Sequence, residues 1–423
     1  MTAQHSPNAF DYLLVGGGLQ AGLIVMALRH QQPTASILLI EQADKLAGNH
    51  TWSFHPDDVP GSSREWVEPL IQYRWDACEV RLSGLEKRIP LAYATTSSEH
   101  FASVVKRRMN DGPGEILLGT SVAELMPDRV RTQSGDVRYA KIVIDCRGPN
   151  NVHPSQRGTD KPGCGFQKFW GFEVETQVDW PRQSPTIMDD CVDQTDGFRF
   201  IYSLPLTPRQ ILVEDTRFSS TPELSRDECL ANVREYLHQL GMDDWRIRRE
   251  ENGVLPMPYQ AAAMPDRLAS RDVLAGGYAG GWYHAATGYS FPMAVALAQT
   301  IASVDADEAT HRVHAAVNAL AAQHVTRTRF ARFLNRLLFC LVKPKTRYQI
   351  FRRFYNVLPP AAIARFYAHR FTARDAMRIV VGMPPRGLRP IHFAQSFLPP
   401  RKQTQTSKFL SPVHPSARSE VVQ

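Results

Sequence analysis

The sequence predicts an α/β protein with a parallel sheet, a second, antiparallel sheet and a basic helical C-terminal region. Three observations carry this. A strand, a glycine turn, an apolar helix and a second strand follow one another in roughly the first 45 residues. Strand-like stretches separated by turn signals fill residues 160–260, and from Pro292 the apolar spacing becomes helical. With 423 residues the chain exceeds the ~250–300 at which a single core stops growing, so two cooperating domains are expected.

The first strand is Phe10–Val15. The turn Gly16-Gly17-Gly18-Leu19-Gln20-Ala21-Gly22 follows, then a helix to about Arg29, and a second strand, Ser36–Ile40, ends on Glu41. Ala140–Asp145 and Asp272–Ala275 read as returns to the same sheet, which makes this domain discontinuous. Phe166–Val174 and Phe198–Leu204 read as strands of the second sheet. The expected boundaries are 9–50, 100–158 and 265–305 for the parallel-sheet domain, and 51–99 with 159–264 for the antiparallel one. Residues 306–390 form the basic helical region and 391–423 a polar, proline-bearing tail.

Composition excludes several classes. Hydrophobic residues at 43% and charged residues at 22% are ordinary globular usage, which argues against disorder and coiled coil. The six cysteines make no C-x-x-C pair and no zinc spacing, so neither a structural metal nor a disulfide scaffold is expected. No apolar run reaches the ~18 residues of a membrane span, and the polar N-terminus lacks a secretory signal, so the expectation is a cytoplasmic protein. The net charge of +7 is uneven: between Arg327 and Arg389 there are 15 basic residues and one acid, Asp375. Such a basic region attracts a polyanion. Its cations alternate with aromatics at helical spacing (Arg329-Phe330, Arg352-Arg353-Phe354-Tyr355, Arg365-Phe366-Tyr367), which suits an anionic membrane surface, and no nucleic-acid reader motif is present.

The glycine turn has a physical reading. Glycine lets the backbone approach a pyrophosphate, the helix N-terminus supplies N–H groups and a positive dipole, and Glu41, 23 residues past Gly18, is placed to accept from ribose hydroxyls. An acid there favours a free ribose hydroxyl, as in FAD or NAD. The domain is therefore expected to be a Rossmann-type dinucleotide-binding domain, with Gly16, Gly17, Gly18, Leu19, Gly22 and Glu41 against the cofactor. The third small residue of the usual pattern is Ala21, with Gly22 one place later.

The chain resembles the bacterial lycopene β-cyclases, flavoproteins of carotenoid biosynthesis. The resemblance rests on Asp11–Gly22, Gly48-Asn49-His50-Thr51-Trp52-Ser53-Phe54-His55, Tyr202–Leu206, Val213-Glu214-Asp215-Thr216, Thr287–Pro292 and Ala364–Ala368. It implies that the domain is a Rossmann-type FAD-binding domain holding non-covalent FAD, with Gly276, Gly277 and Gly288 also against the cofactor, and that the FAD is used in its reduced form with NAD(P)H as reductant. It also implies closure of the ψ ends of lycopene, by way of γ-carotene, into β-ionone rings without net redox change. The oligomeric state is not implied. Where FAD hydroxylases carry Gly-Asp before a helix, this chain has Gly276-Gly277, a loss that resembles the cyclases.

Ring closure needs an acid beside a dry, cation-tolerant pocket, and a carboxyl kept neutral by burial can supply the proton. The resemblance selects Glu214 as acid/base; Asp215 is kept as a second catalytic candidate but reads first as a structural acid, hydrogen-bonded to a loop. Strand alternation puts Leu212, Glu214 and Thr216 on one face and Ile211, Val213 and Asp215 on the other, so only one acid of the pair can face a shared pocket. Phe198, Phe200 and Tyr202 are candidates for lining a polyene channel, and Trp282, Tyr283 and His284 for standing near the flavin ring; His50, His55 and His284 read as hydrogen-bonded structural histidines. Two other functions fit the same residues, an FAD- and NAD(P)H-dependent monooxygenase or reductase of a prenyl substrate, and a membrane-bound flavin carrier.

Overall fold

The computed structural model describes residues 9–148, 163–261, 264, 273–304 and 310–381. Parts of the expected boundaries (149–158, 265–272, 305 and 382–390) and the 391–423 tail lie outside them.

The first sheet runs β8 (Gly114–Leu117), β2 (Ile37–Ile40), β1 (Phe10–Val15), β11 (Val137–Asp145), β10 (Arg129–Thr132), β9 (Val122–Leu125), with β17 (Leu274–Ala275) on the far side of β11. The strands β8, β2, β1, β11 and β17 are parallel, as the apolar runs predict for strands covered on both faces. β10 and β9 extend the sheet antiparallel, a meander whose short strands carry too little pattern to be read in advance. Helix α1 (Leu19–Gln31) is buried from Gln20 to Arg29. It is apolar all round because the sheet, α3 (Ser98–Met109) and α5 (Phe291–Ala302) enclose it.

The second sheet runs β16 (Trp245–Pro258), β12 (Cys164–Thr176), β15 (Gln210–Ser219), β14 (Phe198–Thr207), β13 (Thr186–Asp189), β5 (Cys78–Leu82), β6 (Leu85–Ile89). It is antiparallel except where β13 meets β5. One face packs on α4 (Arg226–Gln239), where Ile211 and Val213 meet Cys229, Val233 and Leu237. A small third sheet, β3 (Thr51–Phe54), β7 (Tyr93–Ser97) and β4 (Tyr73–Trp75), is held antiparallel beside them. A 3₁₀ turn and the short helix α2 (Arg64–Val67) join β3 to β4.

The C-terminal region is helical, as expected: α6 (Thr310–Arg336), α7 (Tyr348–Val357), α8 (Pro360–Tyr367) and α9 (Ala373–Val380). Some of its cations are held by the protein itself. Arg347 is 1% exposed and donates to the carbonyls of Leu338 (3.0 Å) and Phe218 (2.9 Å). Arg365 pairs with Asp375 at 2.7 Å, and Arg353 donates to the Arg378 and Val381 carbonyls. The apolar faces of α7 and α8 cover the far half of the second sheet. On α9 and just beyond it Met377, Val380 and Val381 remain exposed beside exposed Arg374. Among the described residues no helix is long and apolar enough to cross a membrane.

Candidate active site

A cavity of about 890 Å³ is lined by the β1–α1 turn, by β3, and by β15 and β16 of the second sheet. Gly16, Gly17, Gly18, Leu19, Glu41, Gly277 and Gly288 all line it. Gly16 has φ +100°, and a Cβ there would stand 2.9 Å from the Cys146–Arg147 backbone, so only glycine fits. Glu41 accepts from the N–H of Gly17 (2.5 Å) and of Ala43 (2.8 Å), fixing the turn from below. No protein atom lies within 4 Å of where a Cβ on Gly18 would stand, and no side chain caps α1 there. The turn thus presents an open notch at an uncapped helix N-terminus, which fits the pyrophosphate of a dinucleotide.

Two of the expected glycines are elsewhere. Gly22 packs α1 against α3: an added Cβ would lie 2.3 Å from the Phe101 ring. Gly276 does not line the cavity; its N–H donates to the Asp145 carbonyl at 2.8 Å, and its missing side chain makes room for Gln20. The aromatic expectations divide in the same way. Phe200 and Tyr202 line the cavity, but Phe198 is stacked on Phe351 within the core beneath it. Trp282 and Tyr283 are buried away from it, Trp282 donating to the Ala275 carbonyl at 2.9 Å. His284 meets the Phe366 and His369 rings at a tilt, and His55 is bound to the Ala92 carbonyl, burial pushing its imidazole down to about 4. The loop that holds Trp282 to His284 closes on α6 and α8 rather than on the cavity, which the local sequence does not encode.

The motif Gly48–His55 enters the wall through β3, where Thr51, Trp52 and Ser53 face the cavity. Tyr202 Oη donates to Ser53 Oγ at 2.8 Å and meets Tyr93 Oη at 3.1 Å, joining the third sheet to the second.

Glu214 and Asp215 part as strand alternation requires. Glu214 lines the cavity and is 9% exposed. Burial pushes its carboxyl well above the usual range, a neighbouring carboxyl, Glu251, pushes it further, and Arg249 pulls it back. Asp215 lies on the opposite face, wholly buried. It accepts from Arg199 Nε (2.9 Å), Arg217 Nη2 (3.0 Å) and Asn232 Nδ2 (2.7 Å). It does not line the cavity, so of the two candidate acids only Glu214 reaches it.

Glu251, missed by the sequence reading, is 3% exposed on β16 and does not line the cavity. Its Oε2 accepts from Arg249 Nη1 at 2.6 Å and Thr51 Oγ1 at 2.7 Å, and Arg249 also donates to Thr51, Asn49 and Glu173. Asn49 and Thr51 of the Gly48–His55 run thus serve this ion pair.

Solved structures of similar architecture include flavin-dependent enzymes. A geranylgeranyl bacteriochlorophyll reductase-like protein of Thermoplasma acidophilum superposes with TM-score 0.59 at 12% identity, over 88% of this chain and 96% of that one. The flavin-dependent brominase Bmp2 superposes with TM-score 0.57 at 12% identity, over 88% and 97%. At such identities the likeness shows the fold alone. A family model described as "Lycopene cyclase protein" matches residues 11–391. The lycopene beta-cyclase of Pantoea ananas is 37% identical over 377 residues, 89% of this chain and 95% of its own length. That of Paracoccus sp. is 36% identical over 89% and 94%. The chain belongs to the lycopene cyclase family and is an enzyme of that type.

Proposed function

We propose that this enzyme closes the ψ ends of lycopene, through γ-carotene, into β-ionone rings, with Glu214 as the proton donor. The observation that carries this reading is a buried carboxyl, its hold on a proton raised by burial, in the wall of a cavity that also reaches the glycine turn. Protonating the terminal double bond leaves a tertiary cation, the neighbouring double bond attacks it to close the ring, and one ring proton leaves. Atoms and electrons balance without an oxidant. The residues of this chain do three things. Glu214 holds the proton where water is excluded. Trp52, Phe169, Phe200, Phe218, Phe351 and Tyr367 turn apolar or π surface to the cavity, which accepts a long polyene and tolerates positive charge. Gly17, Gly18, Leu19, Glu41, Gly277 and Gly288 would hold FAD. When bound in its reduced form, with NAD(P)H as the reductant, FAD supplies an electron-rich face for the cationic stage.

A polyene insoluble in water must be drawn from lipid. Met377, Val380 and Val381, beside Arg374, give an apolar tip with a cationic rim, which supports peripheral attachment to the cytoplasmic face of an anionic membrane. Family membership disfavours the monooxygenase and carrier readings. The test is expression in a lycopene-accumulating host, with the extracted pigments examined for ring closure. Unchanged lycopene beside well-expressed, flavin-loaded protein refutes the reading.

A further inference from the structure

A row of side chains crosses the second sheet at the level of Glu214. In register, Tyr202 of β14 pairs with Glu214 of β15, Glu214 with Gly171 of β12, and Gly171 with Glu251 of β16. Paired residues share a face, so Glu214 and Glu251 flank Gly171 on the cavity side. Two carboxyls separated by an intervening strand ordinarily have a side chain between them. Here there is none: a Cβ on Gly171 would stand 2.8 Å from Glu214 Cγ, 3.2 Å from its Oε1 and 3.2 Å from Glu251 Cγ. The glycine φ is not in the left-handed region, so backbone conformation does not require glycine here. Space does. Across that gap the two side chains approach each other, and the Glu251 carboxyl raises the hold of Glu214 on its proton.

We propose that Glu251, anchored by Arg249 and Thr51, is a positioning residue that holds the proton on Glu214, and that Gly171 exists to let the two acids meet. This rests on the reading of Glu214 as the acid. Two buried carboxyls side by side across one glycine share one proton, because two buried like charges repel. The guanidinium of Arg249 and the Thr51 hydroxyl address Glu251, which places the negative charge there and the proton on the cavity-facing member. The other titratable groups around the row are Tyr202 and Tyr93 from β14 and β7, His50 ahead of β3, and Glu173 of β12, which pairs with Arg249 at 3.0 Å. The chemistry follows and balances. Glu214 gives its proton to the terminal alkene carbon and becomes a carboxylate beside an existing one. That doubly charged pair is a strong base, and the proton shed from the ring carbon returns to Glu214 as the C–H electron pair forms the ring double bond. The pair ends with the one proton it began with.

The test uses full-length, flavin-loaded protein and two readouts. The first is the infrared carbonyl band of the protonated carboxyl, identified by its loss in Glu214→Gln and titrated without substrate. The second is the alkaline limb of β-ring formation against pH in lycopene-containing vesicles. Glu251→Gln removes the charge that keeps Glu214 protonated, so both midpoints should move to lower pH together by at least about one unit. Glu251→Asp, which keeps the charge, should restore most of the shift. Gly171→Ala, which keeps both acids but fills the gap, should lower the midpoint in the same direction, and it serves should Glu251→Gln not fold. Unchanged midpoints in the variants that fold, with Glu214→Gln inactive, overturn this proposal and leave Glu214 as the acid. An active Glu214→Gln overturns the proposed acid itself.

Discussion

Asp215→Asn and Glu214→Gln should separate stability from chemistry at neighbouring positions of one strand. Asp215 is buried with two guanidinium partners at 2.9 and 3.0 Å and an amide donor at 2.7 Å. Asparagine keeps one acceptor oxygen, but its amide nitrogen must turn its own protons toward groups that are all donors. Arg199 then loses its carboxylate, while Arg217 retains Glu228 at 2.9 Å. Breaking one side of a buried ion pair costs about 3–5 kcal/mol, a large part of the ~5–15 kcal/mol that holds a domain together. At ~2–4 °C per kcal/mol, the unfolding midpoint should fall by roughly 6–20 °C. Below that midpoint ring formation should remain, because Asp215 does not face the cavity. Glu214→Gln should do the reverse, leaving fold and flavin intact while ring formation falls at least ~100-fold. The assay pairs thermal unfolding by circular dichroism with β-ring yield from lycopene vesicles at a temperature where both variants are folded. Asp215→Asn with wild-type stability and no ring formation would refute the division of roles.

Three further outcomes are expected. Gly18→Val fills the open notch at the start of α1, so flavin absorbance should be lost after desalting although the fold persists; full retention removes this turn as the pyrophosphate site. Met377→Asp with Val380→Asp should weaken binding to anionic vesicles with flavin content unchanged, and binding indifferent to the pair would locate the lipid contact elsewhere. Glu214 has a folded pKa above its unfolded one. Below the unfolded value both states hold the proton; as pH rises between the two, the unfolded chain ionises first and stability falls by up to about 1.4 kcal/mol per pH unit. Glu214→Gln removes that loss, so its melting temperature should gain on the wild type as pH rises above the ordinary carboxylate range, and a constant offset would show that the Glu214 pKa is not raised by folding.

What was legible in the sequence is what local pattern encodes. Strand β1 was read at its exact limits and β2 within a residue, because an unbroken apolar run has one solution when both faces are covered. The alternation that separates Glu214 from Asp215 needs only the period of a strand. Gly22 and Gly276 were misread because a glycine admits either a ligand or a neighbouring side chain, and the sequence does not say which. For Gly22 it is the Phe101 ring of α3, about eighty residues away; for Gly276 it is Gln20. The basic region was read as a charged face, yet Arg347, Arg353 and Arg365 are held by carbonyls and by the one acid in the region. Counting charges does not reveal how many are already paired.

Glu251 marks the limit of such reading. Its meaning depends on three strands at once: β15 carries Glu214, β16 carries Glu251 and Arg249, and β12 contributes an absence at Gly171. In isolation each looks ordinary, a strand glycine between aromatic residues and an acid two places from an arginine. Sheet register makes them one unit, and register is set by pairings far apart in sequence. The Gly48–His55 run has the same character. Its contribution is delivered through Asn49 and Thr51, which touch Arg249 and Glu251 about two hundred residues later. On the proposed roles, the runs Val213–Thr216 and Gly48–His55 serve one buried proton rather than separate tasks: the first carries Glu214, the second anchors Glu251 behind it.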